Sequence, residues 1–176
     1  MYQEIPATMP VLFRTLIVIA LLSMTACGFK PLYGTQSEST SYAAMNDIYI
    51  DNIPNREGQF LRNELMDLLY SKGRPANPVY NLHVSPIEET KTNLDLTISA
   101  DATRAQLRLD TTIRLTEKDT GVLLLEREMT TITSYNILQS QFTTRVSETN
   151  TRENALRDLA KQIQLQLGLY FQRTDN

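Results

Sequence analysis

The sequence predicts an α+β fold with the element order β-α-β-β-β-α. We expect a two-layer sandwich, in which two helices cover one face of a mixed or antiparallel sheet of about four strands. Three observations carry this prediction. Several segments place apolar residues at every second position, which is typical of half-buried strands. Two segments repeat apolar residues at helical spacing, and a hairpin signal joins the last two strands.

The first strand and the first helix are predicted near residue 50. Asp47–Ile53 alternates apolar and polar residues, and Arg56–Lys72 carries a leucine stripe at helical spacing. Asn55 is placed to cap this helix, and Gly73 can take the left-handed conformation that ends it. A helix between two strands favours a right-handed crossover, so the first strand is expected to join the sheet in parallel.

The middle of the chain predicts three further strands. Val79–Ala100 is extended but contains Pro86, which indicates an edge strand or a bulge at that point. Ala105–Leu115 shows the clearest alternation in the chain. The Asp-Thr-Gly sequence at 119–121 predicts a hairpin that leads into the last strand, Val122–Tyr135.

A long second helix is predicted over Asn150–Phe171, where apolar residues form one stripe. Asn150 and Glu153 have the spacing of a capping box. Residues 136–148 show no apolar periodicity and predict a polar connection of uncertain form.

The N-terminal region has the pattern of a secretory signal. Leu16–Leu22 is an unbroken apolar run that is too short to span a membrane, and Arg14 supplies the preceding positive charge. Met9 is an alternative start to Met1, because a chain beginning there lacks the unusual acidic residue Glu4.

The only cysteine, Cys27, follows this run and has small residues on both sides, which is the pattern of a bacterial lipoprotein signal. We therefore predict a signal peptide at 1–26, a lipidated N-terminus and flexible tether at 27–45, and a single domain at 46–173. Two alternatives are an ordinary signal peptide with a chance cysteine and a buried structural cysteine.

The acyl chains of a lipoprotein cysteine would anchor the protein to a membrane. Two or three such chains anchor a protein stably without a spanning helix. Gly28, where an aspartate indicates retention at the inner membrane in enteric bacteria, favours the outer membrane.

Composition excludes several function classes. The formal net charge is −3 and no Lys/Arg tract occurs, so the basic footprint of a nucleic-acid-binding protein is missing. A lipidated Cys27 leaves no thiol for a disulfide or a soft metal site. We expect no metal and no cofactor beyond the covalent diacylglycerol and N-acyl chain.

No sequence motif supports catalysis. The single histidine, His83, is expected on the polar face of its strand, with no motif that supplies a partner. Glu88 and Glu89 are neighbours, but neighbours in a strand face opposite ways, so they are expected to be exposed edge charges. The sequence thus predicts a protein that is not an enzyme. Five arginines in the second half are expected on solvated faces, and the sequence does not determine whether any of them converge: Arg104, Arg108, Arg114, Arg145 and Arg152.

Cys27 is followed by Gly-Phe-Lys-Pro-Leu-Tyr-Gly at 28–34, then by a tether and the predicted domain. This arrangement resembles the LptE family of lipopolysaccharide-assembly lipoproteins in its alphaproteobacterial form, with Lys30 at the variable place of the leader. Ser134-Tyr135-Asn136 and the last helix are also similar to that branch. The resemblance covers essentially the whole chain.

The resemblance implies a lipid-anchored protein on the periplasmic face of the outer membrane, seated inside the LptD β-barrel as its plug and assembly factor. Together the two proteins deliver lipopolysaccharide to the cell surface. Family members also bind lipopolysaccharide through basic residues. By spacing from the last helix, Arg145 takes the place of one of these, and Arg104 lies close to the place of another.

Two other readings stay open at this point. The chain could be an accessory lipoprotein of a different envelope complex, which would share Cys27 and the tether but would not associate with LptD. It could also be a lipid-tethered enzyme, which would need a pocket with converging titratable groups.

Overall fold

The computed structural model describes residues 44–70, 73–96 and 102–174, and in it one strand precedes the first helix and a run of strands separates the two helices, as predicted. The elements are β1 (Ile48–Ile50), α1 (Asn55–Leu69), β2 (Tyr80–Val84), β3 (Glu88–Leu96), β4 (Ala102–Glu117), β5 (Leu123–Asn136) and α2 (Gln141–Thr174). The α+β class and the two-layer arrangement are confirmed. The described sheet has five strands instead of about four, because the extended segment expected at 79–100 divides into β2 and β3.

β4 is the central strand of the sheet. β5 pairs with it in antiparallel fashion along one side, while β2 and β3 lie end to end along the other side. Val84 pairs with Ile113 and Glu88 with Asp110, so three residues of one strand segment oppose two of β4. Pro86 lies in this bulge, as the sequence predicted. The buried Thr111 donates a 2.8 Å hydrogen bond to the carbonyl of Ser85 and so holds the bulge against β4.

β1 joins β2 in parallel, with Ile48 opposite Tyr80 and Ile50 opposite Leu82. The intervening α1 makes the crossover that a parallel pair requires, so the expected parallel first strand is confirmed.

One face of the sheet and the two helices enclose a single apolar core. Along β4 the alternating residues from Ala105 to Leu115 point inward and are buried, which confirms the alternation read from the sequence. Most residues of the two predicted helix stripes are buried in this core: Leu61, Leu65, Leu69, Leu156, Leu159, Ala160, Ile163 and Leu167. Leu68 and Tyr170, which were also predicted, are only partly buried, whereas Ala155 and Phe171 are buried without having been predicted. The opposite face of the sheet is polar, and no helix within the described ranges covers it.

The ends of α1 differ in part from the prediction. Asn55 is the first helical residue and adopts φ +68°, and the N-cap position is Pro54, with no side-chain capping hydrogen bond. The predicted cap by Asn55 is therefore wrong. The helix ends at Leu69, Gly73 has the expected left-handed φ of +91°, and Lys72 lies outside the described residues.

α2 begins at Gln141, nine residues before the predicted start, so the capping box at Asn150 is wrong. The polar connection predicted at 136–148, whose form the sequence left open, is helical from Gln141 onward. Ser140 caps the helix, since its Oγ accepts a hydrogen bond from the N–H of Thr143 at 3.5 Å. None of the residues 141–154 is buried, so this part of the helix has no apolar stripe for sequence reading to detect. Within the described ranges, no helix is long and apolar enough to cross a membrane.

Candidate functional site

Arg145 lies in the second turn of α2, at the end of the domain where β5 leads into the helix. Its side chain is exposed, and it makes no ion pair or hydrogen bond with any other described residue. Three apolar residues nearby in the sequence are also exposed: Phe142 by 78%, Val146 by 43% and Leu138 by 45%. The structure thus places a guanidinium that has no described partner beside exposed apolar residues, in the part of the predicted polar connection that is helical.

Arg104 lies on β4 at the same end of the molecule, because it pairs with Asn136 at the end of β5. Its neighbour Ala105 points into the core, so Arg104 is on the outer, helix-free face. Its Nη2 donates a 3.0 Å hydrogen bond to Oγ of Ser134. Arg104 and Arg145 therefore lie at one end of the domain but in different layers, and no contact joins them within the described residues.

The structure brings together a charge cluster that the sequence did not reveal. Arg152 of α2 donates two hydrogen bonds to the carboxylate of Glu89 on β3, at 2.6 and 2.9 Å, and a third to Glu148 at 2.6 Å. Lys91 of β3 bonds Glu148 and lies 3.5 Å from Glu89. The hydroxyl of Tyr135 donates to Glu148 at 3.3 Å. We call these five residues the ionic cluster.

The four charged members of the ionic cluster shift one another's pKa values toward the charged forms. The hydrogen bond from Arg152 lowers the pKa of Glu89, and the hydrogen bond from Lys91 lowers that of Glu148. The same contacts raise the pKa of Arg152 and of Lys91. Partial burial raises the pKa of Tyr135, so its hydroxyl stays protonated and donates.

Sequence reading placed Glu88 and Glu89 on opposite faces of an edge strand, and the register confirms that placement. Glu89 opposes Leu109 on the inner face, whereas Glu88 opposes Asp110 on the outer face. Glu89 is an exposed residue of an edge strand, as predicted, but it is also a member of the ionic cluster, which the sequence did not predict. The partner helix segment was not recognised as helical, so no sequence signal connected Glu89 with Arg152.

The outer face of the sheet presents charges that are paired with one another. Arg108 contacts Asp110 at 2.8 Å, and Thr130 donates to Asp110 at 2.6 Å. Arg114 contacts Glu126 across the strands at 2.6 Å. Such a face is suited to water and not to a dry apolar interface.

The described residues assemble no catalytic constellation. His83 is half exposed on the outer face, as expected, and its Nδ1 lies 3.3 Å from a carboxylate oxygen of Asp51, with no nucleophile adjoining them. In the described part of the chain no group of His, Cys, Asp and Glu is arranged to hold a metal ion.

An open groove of about 270 Å³ lies between α1 and α2. Its lining includes Phe60 and four charged residues, Arg56, Glu57, Arg152 and Glu153, which are not arranged as a catalytic site. Cys27, the predicted lipidation site, lies outside the described residues.

Comparison with protein families gives one match. Residues 45–167 match the sequence profile of the family described as "LptE: Lipopolysaccharide-assembly", which covers almost all of the described domain. Comparison with curated protein sequences gives no match.

Three solved structures share the fold at low sequence identity. A lipoprotein from Caulobacter crescentus CB15 is 19% identical, with a TM-score of 0.60 over 74% of this chain and 95% of that one. A minor lipoprotein from Acinetobacter baumannii is 24% identical, with a TM-score of 0.57 over 69% and 90% of the two chains. The rare lipoprotein B from Shewanella oneidensis is 11% identical, with a TM-score of 0.51 over 68% and 89%.

Proposed function

Because the chain belongs to the LptE family of lipopolysaccharide-assembly proteins, we propose that it acts as the plug and assembly partner of an LptD-type outer-membrane β-barrel. A role in lipopolysaccharide assembly follows from family membership, and the family consists of assembly lipoproteins, not enzymes. The match over residues 45–167 is the observation that carries the proposal. We also propose the barrel partner, the outer membrane as the location and lipopolysaccharide as a ligand.

The anchor is proposed at Cys27. The apolar run at 16–22 and the small residues around Cys27 support cleavage before the cysteine and attachment of a diacylglycerol and an N-acyl chain. Gly28 supports the outer membrane as the destination. The folded domain would then lie on the periplasmic face, connected through the segment that precedes residue 44.

The helix-free face of the sheet supports the role as a plug. Part of its charge is paired on the same face, as in the Arg114–Glu126 and Arg108–Asp110 pairs. The second half of β5 adds threonine and serine to this face. A polar surface of this kind fits the water-lined lumen of a large barrel better than it fits a dry subunit interface.

Direct binding of lipopolysaccharide is proposed at the end of the domain that carries Arg145. A guanidinium without an acidic partner can form bidentate hydrogen bonds with a lipid A phosphate. Phe142 and Val146 beside it offer apolar surface to an acyl chain. Arg104 is proposed as a second, more distant contact on the outer face.

The proposal is tested by purifying the tagged full-length chain from detergent-solubilised outer membranes and identifying the proteins that accompany it by mass spectrometry. The expected result is a large β-barrel of the LptD type in near-equal amount. The Cys27→Ala variant should be lost from the membrane fraction because it carries no lipid. Recovery of a different envelope complex in place of the barrel would favour the alternative reading as an accessory lipoprotein of that complex.

A further inference from the structure

β5 has a free edge. It pairs with β4 along one side only, from Leu123 to Asn136, and no described strand pairs with its other side. α2 packs on the inner face of β5, and the outer-face side chain of Ile132 is 53% exposed. The edge therefore offers unpaired backbone groups to an incoming chain.

The register identifies which backbone groups point outward. The N–H of Ile137 bonds the carbonyl of Thr103 at 2.9 Å, and the same register pairs Asn136 with Arg104. In an antiparallel ladder, directly opposed residues alternate between hydrogen-bonded and non-hydrogen-bonded pairs. The odd-numbered residues of β5 from Leu125 to Tyr135 thus bond to β4, while the free edge presents the N–H and C=O groups of Thr130, Ile132, Ser134 and Asn136.

The two halves of this edge differ in charge. The first half contains Glu126, Arg127 and Glu128, and charged residues are the usual protection of an exposed edge against pairing. The second half, Thr130–Asn136, has no charged residue, proline or glycine and is rich in β-branched residues. The other long edge, β3, is protected by Glu88, Glu89 and Lys91. Of the two long edge strands, β3 and β5, only the end of β5 therefore lacks this protection.

The helix above this edge argues against a second copy of the chain as the occupant. Gln162 of α2 donates a 3.3 Å hydrogen bond to Thr131, so this flank of the helix lies over β5. Asp158, one turn earlier on the same flank, is exposed. A second copy paired through the same edge would bring its own α2 with the same polar flank, and no continuous apolar surface would form between the helices. A single added strand that carries no helix would not bring two polar helix flanks together.

We propose that Thr130–Asn136 receives one extended segment of the barrel protein as an added β-strand, which rests on the proposed function because it names the barrel as the donor. The segment contains about five to seven uncharged residues, since each charge would lie beside threonine, isoleucine or serine side chains with no counter-charge. β-branched and aromatic side chains give the best cross-strand pairs with Ile132 and Thr133. Backbone hydrogen bonds would supply affinity, and alternate side chains would supply specificity.

A proline substitution tests the edge directly. The N–H of Ile132 points outward, so Ile132→Pro removes a donor for the added strand without removing a hydrogen bond to β4. Glu128→Pro is the matched control, because its N–H also points outward but lies in the charged half. The full-length variants are co-expressed with the LptD-type barrel protein of the same genome, and the barrel recovered on the tagged chain is quantified. Ile132→Pro is expected to reduce recovery at least tenfold, while Glu128→Pro stays within twofold of wild type.

Hydrogen–deuterium exchange of the wild-type complex gives a second readout that needs no variant. Peptides covering 130–136 should exchange at least tenfold more slowly in the complex than in the free chain, and peptides covering 124–128 should change little. Equal barrel recovery with Ile132→Pro and no added protection at 130–136 would overturn the added strand while the proposed function stands. If wild type recovers no barrel, both fall. Protection of 130–136 in the free chain, with a dimer by light scattering, would assign the edge to a second copy and overturn the proposal.

Discussion

Gly58 lies in the first turn of α1, against the segment that enters the helix. A Cβ added there would lie 2.6 Å from Cγ2 of Ile53 and 3.0 Å from its backbone carbonyl, and Ile53 is fully buried. The backbone of Gly58 is helical, so no unusual conformation requires glycine there. Close packing against Ile53 requires it, because there is no room for a Cβ.

Gly58→Ala should therefore destabilise the domain even though alanine is the better helix former. We expect a loss of about 1–3 kcal/mol in the free energy of unfolding, the usual cost of overpacking. Gly168→Ala in α2 is the matched control, because its Cβ would meet only Cε of Met45 at 4.0 Å. That variant should gain about 0.5–1 kcal/mol from helix propensity. Urea denaturation of both variants measures the difference, and equal effects would contradict the packing argument.

Arg145 is the second residue whose surroundings make a sharp prediction. Its guanidinium has no partner among the described residues, so replacing it should cost the fold less than about 0.5 kcal/mol. Arg145→Asp should nevertheless weaken lipopolysaccharide binding about tenfold or more, since it places a carboxylate where a phosphate would bind. Arg173→Asp, an exposed arginine at the opposite end of α2, is the control. Binding to immobilised lipopolysaccharide measures the effect, and unchanged binding by Arg145→Asp would remove this residue from the proposed site.

At the scale of elements, the ionic cluster links β3 to the first half of α2. β3 buries no side chain between Glu88 and Leu94, and α2 buries none before Ala155. Charged hydrogen bonds therefore hold together two elements that share no apolar contact surface there. The side chains of Arg152, Glu89 and Glu148 are only about one-fifth exposed, so screening by water is reduced.

This link makes stability depend on pH. The pKa values of Glu89 and Glu148 are lowered in the folded state, so their contribution is fully present above the carboxyl pKa of the unfolded chain. It is lost as the pH falls through their lowered folded-state values. Arg152→Met should remove on the order of 1 kcal/mol at pH 7 and flatten the pH dependence between pH 5 and 3. The exposed Lys161→Met is the control. Urea midpoints measured across this range would contradict the prediction if Arg152→Met kept the wild-type slope.

The elements that sequence reading identified are those with an apolar pattern. β4 and the second half of α2 bury alternate or stripe residues, and both were predicted closely. The first half of α2 was missed because its contacts are charged, and charges at 148 and 152 reveal no partner in a linear sequence. Pro86 indicated an interruption between β2 and β3. It did not indicate that these are two strands, because a single strand with a bulge has the same local sequence pattern. Arg104 and Arg145 came from resemblance, and their separation into two layers required the fold.

At the scale of the whole molecule, the described domain has two ends of different construction. One end holds the apolar core, with α1 and α2 side by side over β1, β2 and the adjoining part of β4. Gln164 donates to the carbonyl of Leu68 at 3.1 Å and ties the two helices there. The other end consists of β3, the end of β5 and the first half of α2, and it carries the ionic cluster, Arg104, Arg145 and the free edge. The proposed contacts with lipopolysaccharide and with the barrel protein thus all lie at the end of the domain that has fewer buried apolar residues.

This construction predicts a gradient of local stability. Regions with few buried apolar contacts open with a lower free energy than the core does. Native-state hydrogen exchange of the free chain should therefore show the slowest exchange in β4 near Leu109–Leu115 and in α2 near Leu156–Leu167. Residues 141–152 of the same helix should exchange at least a hundredfold faster, because only charged and polar contacts hold them to the sheet. Since both segments belong to one continuous helix, helix propensity alone would give a smooth decline toward the terminus, whereas loss of core contacts gives a step near Ala155. Equal protection along the whole of α2 would mean that this end is as firmly packed as the core, and the free chain would then present its partner-binding end as a rigid surface.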